Sequence, residues 1–357
     1  MHDEHLAGSP LYPRSAYARE LRPALSANVF DPARSRVALV PLYLGVIAAA
    51  VIAIAKGWVP WLVMPLVSVA IGLAFAGLTF VGHEALHGAV VRGRRRQLVV
   101  GWLCFLPFTL SPRLWIAWHN GAHHAHANHE DDPDAYATLD RYHARRSTRF
   151  SVDAFALGGR RWRGVLSLVL GFTVQSADQL VTARKRGFLS PHLHRLAIAE
   201  TVLGLAVWAG VAWLVGFVPF LFVFVLPLGI ANACVMAFIL TNHNLSPRVN
   251  VNDPLVNSLT VTTSRVVERL TLGFGFHVEH HLFPAMSSRH AREVRALVLA
   301  RWPERYKSMS LGAALRALHR TARVYKDAIT LYDPMTGREH PTLLPAQSFA
   351  GIQKSRG

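Results

Sequence analysis

Three stretches carry the residues able to do chemistry: GHEALHG at 82–88, AWHNGAHHAHANHEDDPD at 117–134 and GFHVEHHLFP at 275–284. Residues three and four apart share a helix face. His83 and His87 therefore point together, as do His119 and His123, and as do His277, His280 and His281. His124 lies about a third of a turn from His123 and could reach a second ion. Zinc takes four ligands, or three plus water when catalytic. Eight imidazoles exceed the needs of one ion and suit two, with positions left open for oxygen or substrate. Imidazole accepts zinc, copper, iron or nickel, so ligand type alone does not name the metal.

The first two stretches admit other readings. His83-Glu84-Ala85-Leu86-His87 is H-E-x-x-H, which on a helix holds zinc with the glutamate as general base of a metalloprotease. That chemistry needs one further ligand and leaves the other two clusters without a role. A carboxylate di-iron bundle would need two E-x-x-H motifs, and Glu84–His87 supplies one. In the second stretch His119, His123 and His126 recur at i, i+4, i+7, so spacing alone lets His126 compete with His124. His129 reads as a surface residue or a neighbour of the ligands. Asp131-Asp132-Pro133-Asp134 lacks the alternating oxygen ligands and terminal glutamate of an EF-hand. Ligating histidines usually donate their second ring nitrogen to a carboxylate or carbonyl, which suits Asp131 or Asp132.

The elements that must position these residues are greasy. The chain is 52% hydrophobic and 17% charged, against about 25% charged in soluble domains, which points to a membrane protein. Four runs reach the roughly 20 apolar residues that span a bilayer: about 37–55, 58–81, 196–215 and 217–240. Lys56-Gly57 joins the first pair and Gly216 the second, so each pair reads as a helical hairpin. Two shorter runs, Leu98 to Leu110 and Val165 to Val174, read as interfacial or re-entrant pieces. Arginines flank the spans on the side away from the hairpin links, from Arg14 to Arg36, Arg92 to Arg96 and Arg184 to Arg195. By the positive-inside rule both termini and the histidine stretches are cytoplasmic. The net charge of +17 then faces anionic headgroups, and nucleic acid is not needed as a partner.

The N-terminal stretch is polar and proline-broken, without an early apolar core, and reads as a cytosolic lead-in rather than a signal peptide. Cys104 and Cys234 sit inside apolar runs as small buried thiols; no disulfide framework or C-x-x-C site follows from them. Ser287 to Arg301 reads as an amphipathic helix with a serine start, and LYDPMTGREHPTLLP as a turn-rich cover. A metal transporter with histidine-rich loops would want ionisable groups within the spans, and Glu200 is the one present.

The boxes HEALH, HNGAHH and HVEHH, with HANHEDDPD after the second and HLFP after the third, resemble the membrane fatty acid desaturases and their hydroxylase relatives. The resemblance covers about Val37 to Pro284. It implies an all-α integral-membrane fold, four transmembrane helices in two hairpins under a cytosolic helical cap that holds a di-metal site. It divides the chain into a cytosolic segment 1–36, the desaturase-like domain 37–284 and a cytosolic segment 285–357. It implies two iron ions held by His83, His87, His119, His123, His124, His277, His280 and His281, with family pattern favouring His124 over His126. A ninth ligand comes from TNHNLSP as His243, with Asn242 or Asn244 as a water-holding neighbour. The implied reaction is oxygen-dependent oxidation of a fatty acyl chain, as free acid, thioester or acyl-lipid, foremost its desaturation. Hydroxylation, or oxidative decarboxylation to a terminal alkene, are the other outcomes of such a centre. No Rossmann fingerprint, C-x-x-C-H haem site or fused cytochrome is present in the sequence, so a ferredoxin-like or other reductase must supply electrons. The expected location is the cytoplasmic membrane of a bacterium.

Overall fold

The computed structural model describes residues 5–6, 9–321 and 323–345 of the chain; the start of the 1–36 segment and the end of 285–357 lie outside them. The described residues are mostly helical and divide into two compact units. One comprises Phe30–Gly121 and Leu168–Met236; the other comprises Met1–Val29, Ala122–Ser167 and Ala237–Gly357.

In the first unit the long apolar runs form the helices Leu39–Ala55, Met64–Leu86 and Pro191–Val215. Lys56-Gly57 and Gly216 lie at the links, where Gly57 and Gly216 take positive φ, a conformation open to glycine at little cost. Trp58 and Trp61 stand exposed at one link, Trp213 and Phe217 at the other, as expected of rings at a membrane–water boundary. The helix Met64–Leu86 runs on into the first histidine box rather than ending before it, with His87 as its C-cap. It packs closely on Arg94–Phe105: a Cβ on Gly82 would stand 2.7 Å from Cys104 Cβ.

Arg94–Phe108 and Pro112–His126 meet at a bend of 102°. Thr109 takes the left-handed conformation in the elbow, and Ser111 caps the returning helix by accepting from the Arg113 and Leu114 amides. Glu200 braces the elbow, bonding Ser111 Oγ at 2.6 Å and Arg113 Nε at 2.8 Å. The pair starts just after His87 and brings His119 back to rings 5.0 and 5.3 Å from His83 and His87. A straight crossing would have carried His119 about 30 Å away; the bend returns it to the first histidine box instead.

Val165 to Val174 departs from the expectation of a short interfacial piece. The helix continues to Thr182, and Trp162–Thr182 is long and apolar enough to cross a membrane by length and composition. With Arg34–Ala55, Trp61–Leu86, Pro191–Val215 and Phe217–His243 this makes five candidate spans among the described residues, or six with the bent pair, where the sequence led to an expectation of four. Two of the hydroxyls after Val174 bond within the helix: Ser176 Oγ donates to Phe172 O and Thr182 Oγ1 to Asp178 O, both at 2.7 Å. Asn232 Oδ1 accepts the Thr173 amide at 3.0 Å and its Nδ2 donates to Thr173 Oγ1 at 2.9 Å.

The second unit gathers the remaining segments. Asp253 is its anchor, buried and bonded to Arg305 Nη2 at 2.6 Å, the Tyr12 amide at 2.8 Å and Tyr17 OH at 3.3 Å. Through it the helix Arg14–Leu21 is fixed to the C-terminal part. The strand Thr260–Thr262 pairs in parallel with Ser308–Ser310. The stretch expected as turn-rich supplies the strands Thr330–Tyr332 and Glu339–Pro341, which join Val324–Tyr325 in an antiparallel sheet. The helix Ala291–Arg301 follows a 3-10 turn at Ser288–His290, where the serine start placed it.

Candidate metal centre

His83 lies in the last turn of Met64–Leu86 and His87 at its C-cap, their rings 4.8 Å apart. His119 completes a cluster of three and is stacked on Trp115, ring centroids 4.4 Å apart at 26°. His119 and His123 lie on a π-helical stretch, Ile116–His123, a wider turn that recurs at functional sites. Glu84, the base a zinc protease would require, is buried and ion-paired with Arg36. Its carboxylate is held by a guanidinium rather than presented to a water on the histidines.

His123, His243, His277 and His281 form a second, fully buried group whose ligand nitrogens all lie within 4.8 Å of one another. The sequence expectation of His243 as a ligand places it here, at the end of Phe217–His243. His277 Nε2 stands 2.6 Å from His243 Nε2 and 3.1 Å from His281 Nε2. Two of the outer nitrogens are engaged. His123 Nδ1 faces Asp132 Oδ1 at 3.0 Å, and His243 Nδ1 faces Asn257 O at 3.1 Å. A carbonyl accepts only, so His243 Nδ1 carries the proton and its Nε2 presents a lone pair to the group; Asp132 imposes the same on His123. Burial, then the neighbouring histidines, drives the His281 pKa well below the ordinary range, favouring its neutral form. Four imidazoles converging through their ring nitrogens, backed by the carboxylate of Asp132, fit a divalent ion with nitrogen ligands.

His124 is buried and His280 half-buried, their Nε2 atoms 3.0 Å apart, with His124 stacked on His281 at 4.4 Å. His126 is exposed and turns its Nδ1 to Ala122 O. Burial thus separates the two candidates that spacing left level. The expected neighbours divide likewise. Asp132 is buried, whereas Asp131 is exposed and lies by His129. Asn242 and Asn244 are both buried, and neither Asn242 amide atom has a partner among the described residues.

Several residues escaped the sequence reading. Asn128 takes positive φ and aims its Nδ2 at His243 O and Pro247 O, 3.1 and 3.2 Å away. Its amide donates to Asp132 Oδ2 at 2.7 Å, so one residue fixes both the carboxylate behind His123 and the backbone of His243. Asn257 donates to Ala127 O at 3.0 Å while its own carbonyl takes the His243 proton. Glu279, inside the third box, is fully buried and accepts from Thr260 Oγ1 and Tyr306 OH; burial raises its pKa. Only the glutamate carried a signal in sequence, as an acid inside a histidine box.

Comparison with known proteins was made on this geometry. The family model described as fatty acid desaturase matches residues 57–313. The chain is also similar to an sn-1 oleoyl-lipid 12-desaturase of Arthrospira platensis, 23% identical over 256 residues, or 66% of this chain and 70% of the relative.

Proposed function

Because the chain belongs to the fatty acid desaturase family, which with its apolar helices supports a membrane oxidoreductase acting on fatty acyl or lipid substrates, we propose that it introduces a C=C bond into an acyl chain at a di-iron centre. The observation that carries this is the buried group His123, His243, His277 and His281, with the outer nitrogens of His123 and His243 fixed by Asp132 and Asn257. A second ion falls to His83, His87 and His119, with His124 and His280 completing the two ligand sets. We assign the domain as 37–284, with both termini on the cytoplasmic face of a bacterial membrane, from the arginine distribution.

Iron bound by these histidines and reduced by an external donor supplies the dioxygen chemistry that removes hydrogen from an unactivated methylene. The reaction balances with two electrons from the donor. Dioxygen takes up four electrons and four protons to give two waters, and two of each come from the vicinal methylenes. The chain's part is to hold the ligands in one tautomer, to keep the site dry by burial, and to admit a greasy chain. The oleoyl-lipid substrate in the relative's name favours an acyl-lipid over a soluble thioester.

The test is mass spectrometry of lipids and volatile hydrocarbons from cells expressing wild type or His281→Ala, with metal counted in the purified protein. A new unsaturated acyl chain in wild type alone, with iron bound, is expected. A hydroxy acid or shortened terminal alkene would move the assignment to hydroxylation or decarboxylation. Zinc in place of iron, with neither strain differing from empty cells, would remove the proposal.

A further inference from the structure

The segment between the strand Thr260–Thr262 and the third histidine box does more than connect them. It forms a six-residue helix, Arg265–Leu270, capped by Ser264, whose Oγ accepts from the Val267 amide at 3.3 Å. Its one acid, Glu268, is held against Ala291–Arg301 by Arg292 at 2.7 Å. That contact turns the rest of the helix outward. Val266 and Leu270, one helical turn apart, are 65% and 58% exposed. Arg265 and Arg269, also one turn apart, are exposed beside them, and neither has an ion pair among the described residues. A short helix with bare aliphatic side chains next to unpaired guanidinium groups suits neither a protein core nor open water.

What covers it follows from the next turn of chain. Phe274 packs its ring 5.9 Å from Phe238, which belongs to the apolar helix Phe217–His243. Phe238 is buried and lies just over one turn from His243 at that helix's end, so the chain that follows Arg265–Leu270 is anchored beside the polar end of an apolar helix. Phe274 also lies 6.1 Å from the His277 ring. Phe274 thus touches both the end of that apolar helix and a ligand candidate of the buried group.

We propose that Arg265–Leu270 is a binding site for an anionic phospholipid: Val266 and Leu270 enter the acyl layer, and Arg265 and Arg269 take the phosphate. Its place beside Phe274 makes it the side from which an esterified acyl chain is delivered to the metal centre. This last step rests on the desaturase reading; the lipid contact does not. Arginine suits the task because its planar fork bonds phosphate oxygens in pairs.

The experiment uses the full chain in lipid nanodiscs, with a nitroxide on Leu270→Cys and wild type labelled alongside to subtract Cys104 and Cys234. Collision with oxygen is compared with collision with a water-soluble nickel chelate. In discs of palmitoyl-oleoyl phosphatidylglycerol, oxygen access should exceed nickel access several-fold. The ratio should fall in phosphatidylcholine discs, and fall likewise in phosphatidylglycerol with Arg265→Gln/Arg269→Gln. A label open to nickel in both lipids overturns the proposal, as does a ratio indifferent to headgroup and to the arginines. Protection of the label from nickel by palmitoyl-coenzyme A in phosphatidylcholine discs would overturn it in favour of a soluble thioester. No readout depends on turnover, so a failed desaturation assay and a failed lipid contact are told apart.

Discussion

Asp132 Oδ1 lies 3.0 Å from His123 Nδ1, and neither side chain is open to water. The same carboxylate accepts the Asn128 and Asp134 amides at 2.7 and 2.9 Å, so it cannot swing away from the imidazole. Asp132→Asn can present an amide nitrogen to His123 and release the wrong tautomer. Loss of such an outer partner typically costs about 10–100-fold in metal affinity. Purified Asp132→Asn should therefore hold less iron at the same expression level, whereas exposed Asp131→Asn should load as wild type. Equal iron in the two variants would show that Asp132 does not orient the ligand.

Glu84 and Arg36 give a sharper division. If Glu84 were the base of a zinc protease, Glu84→Gln would abolish activity and leave metal binding intact. As a buried ion-pair partner it has a structural role, and breaking a buried pair by removing one partner costs about 3–5 kcal/mol. Glu84→Gln should lower thermal stability, and Arg36→Met with Glu84→Gln should recover much of it. Full activity loss with unchanged melting would favour the base.

The histidine sites were legible because ligand chemistry restricts residue type and helix geometry restricts spacing. His83 with His87, and His277 with His280 and His281, could be paired without coordinates. The choice between His124 and His126 was not, since it depends on which ring the fold buries. Asn128 and Asn257 were invisible for a different reason: they act through backbone carbonyls and amides, which any residue carries. The fold departs from the sequence expectation at Val165 to Val174, an apolar run too short to span that is continued as helix by Gln175, Ser176 and the residues after them. In a membrane helix a serine bonds its own preceding turn, and the helix goes on to Thr182.

Asn232 tests that extended helix. Its amide bridges the Phe217–His243 helix to Thr173 in Val165–Thr182, and both of its polar ends are used. Interhelical hydrogen bonds in membranes are worth about 0.6 kcal/mol on average, up to roughly 1.7. Asn232→Leu should lower stability by about 1 kcal/mol, because the Thr173 groups also lose their partner. The loss should appear as earlier unfolding in detergent and easier proteolysis between residues 182 and 191, with the metal content of the folded protein retained. Unchanged stability would mean that Val165–Thr182 is held by its apolar contacts alone.

Lys307 sets a pH dependence that can be isolated. It is fully buried, with Nζ donating to Ser246 Oγ at 3.1 Å, Leu343 O at 3.0 Å and Val256 O. Burial, the largest influence, lowers its pKa to about 7, against the ordinary 10.4 or so in an unfolded chain. Between those values the unfolded chain binds the proton and the folded one has released it. Stability from this group must therefore rise with pH from about 7 toward 10, by up to about 1.4 kcal/mol per unit, and stay flat below 7, where both states are protonated. Melting of wild type should climb relative to Lys307→Met between pH 7 and 9, and the two curves should run parallel between pH 5 and 6.5. Parallel curves over the whole range would mean that the three oxygens around Nζ hold the proton against the cost of burial. In that case Lys307 is a charged clamp on the segment that follows the strand Glu339–Pro341, and its removal would cost the same at every pH.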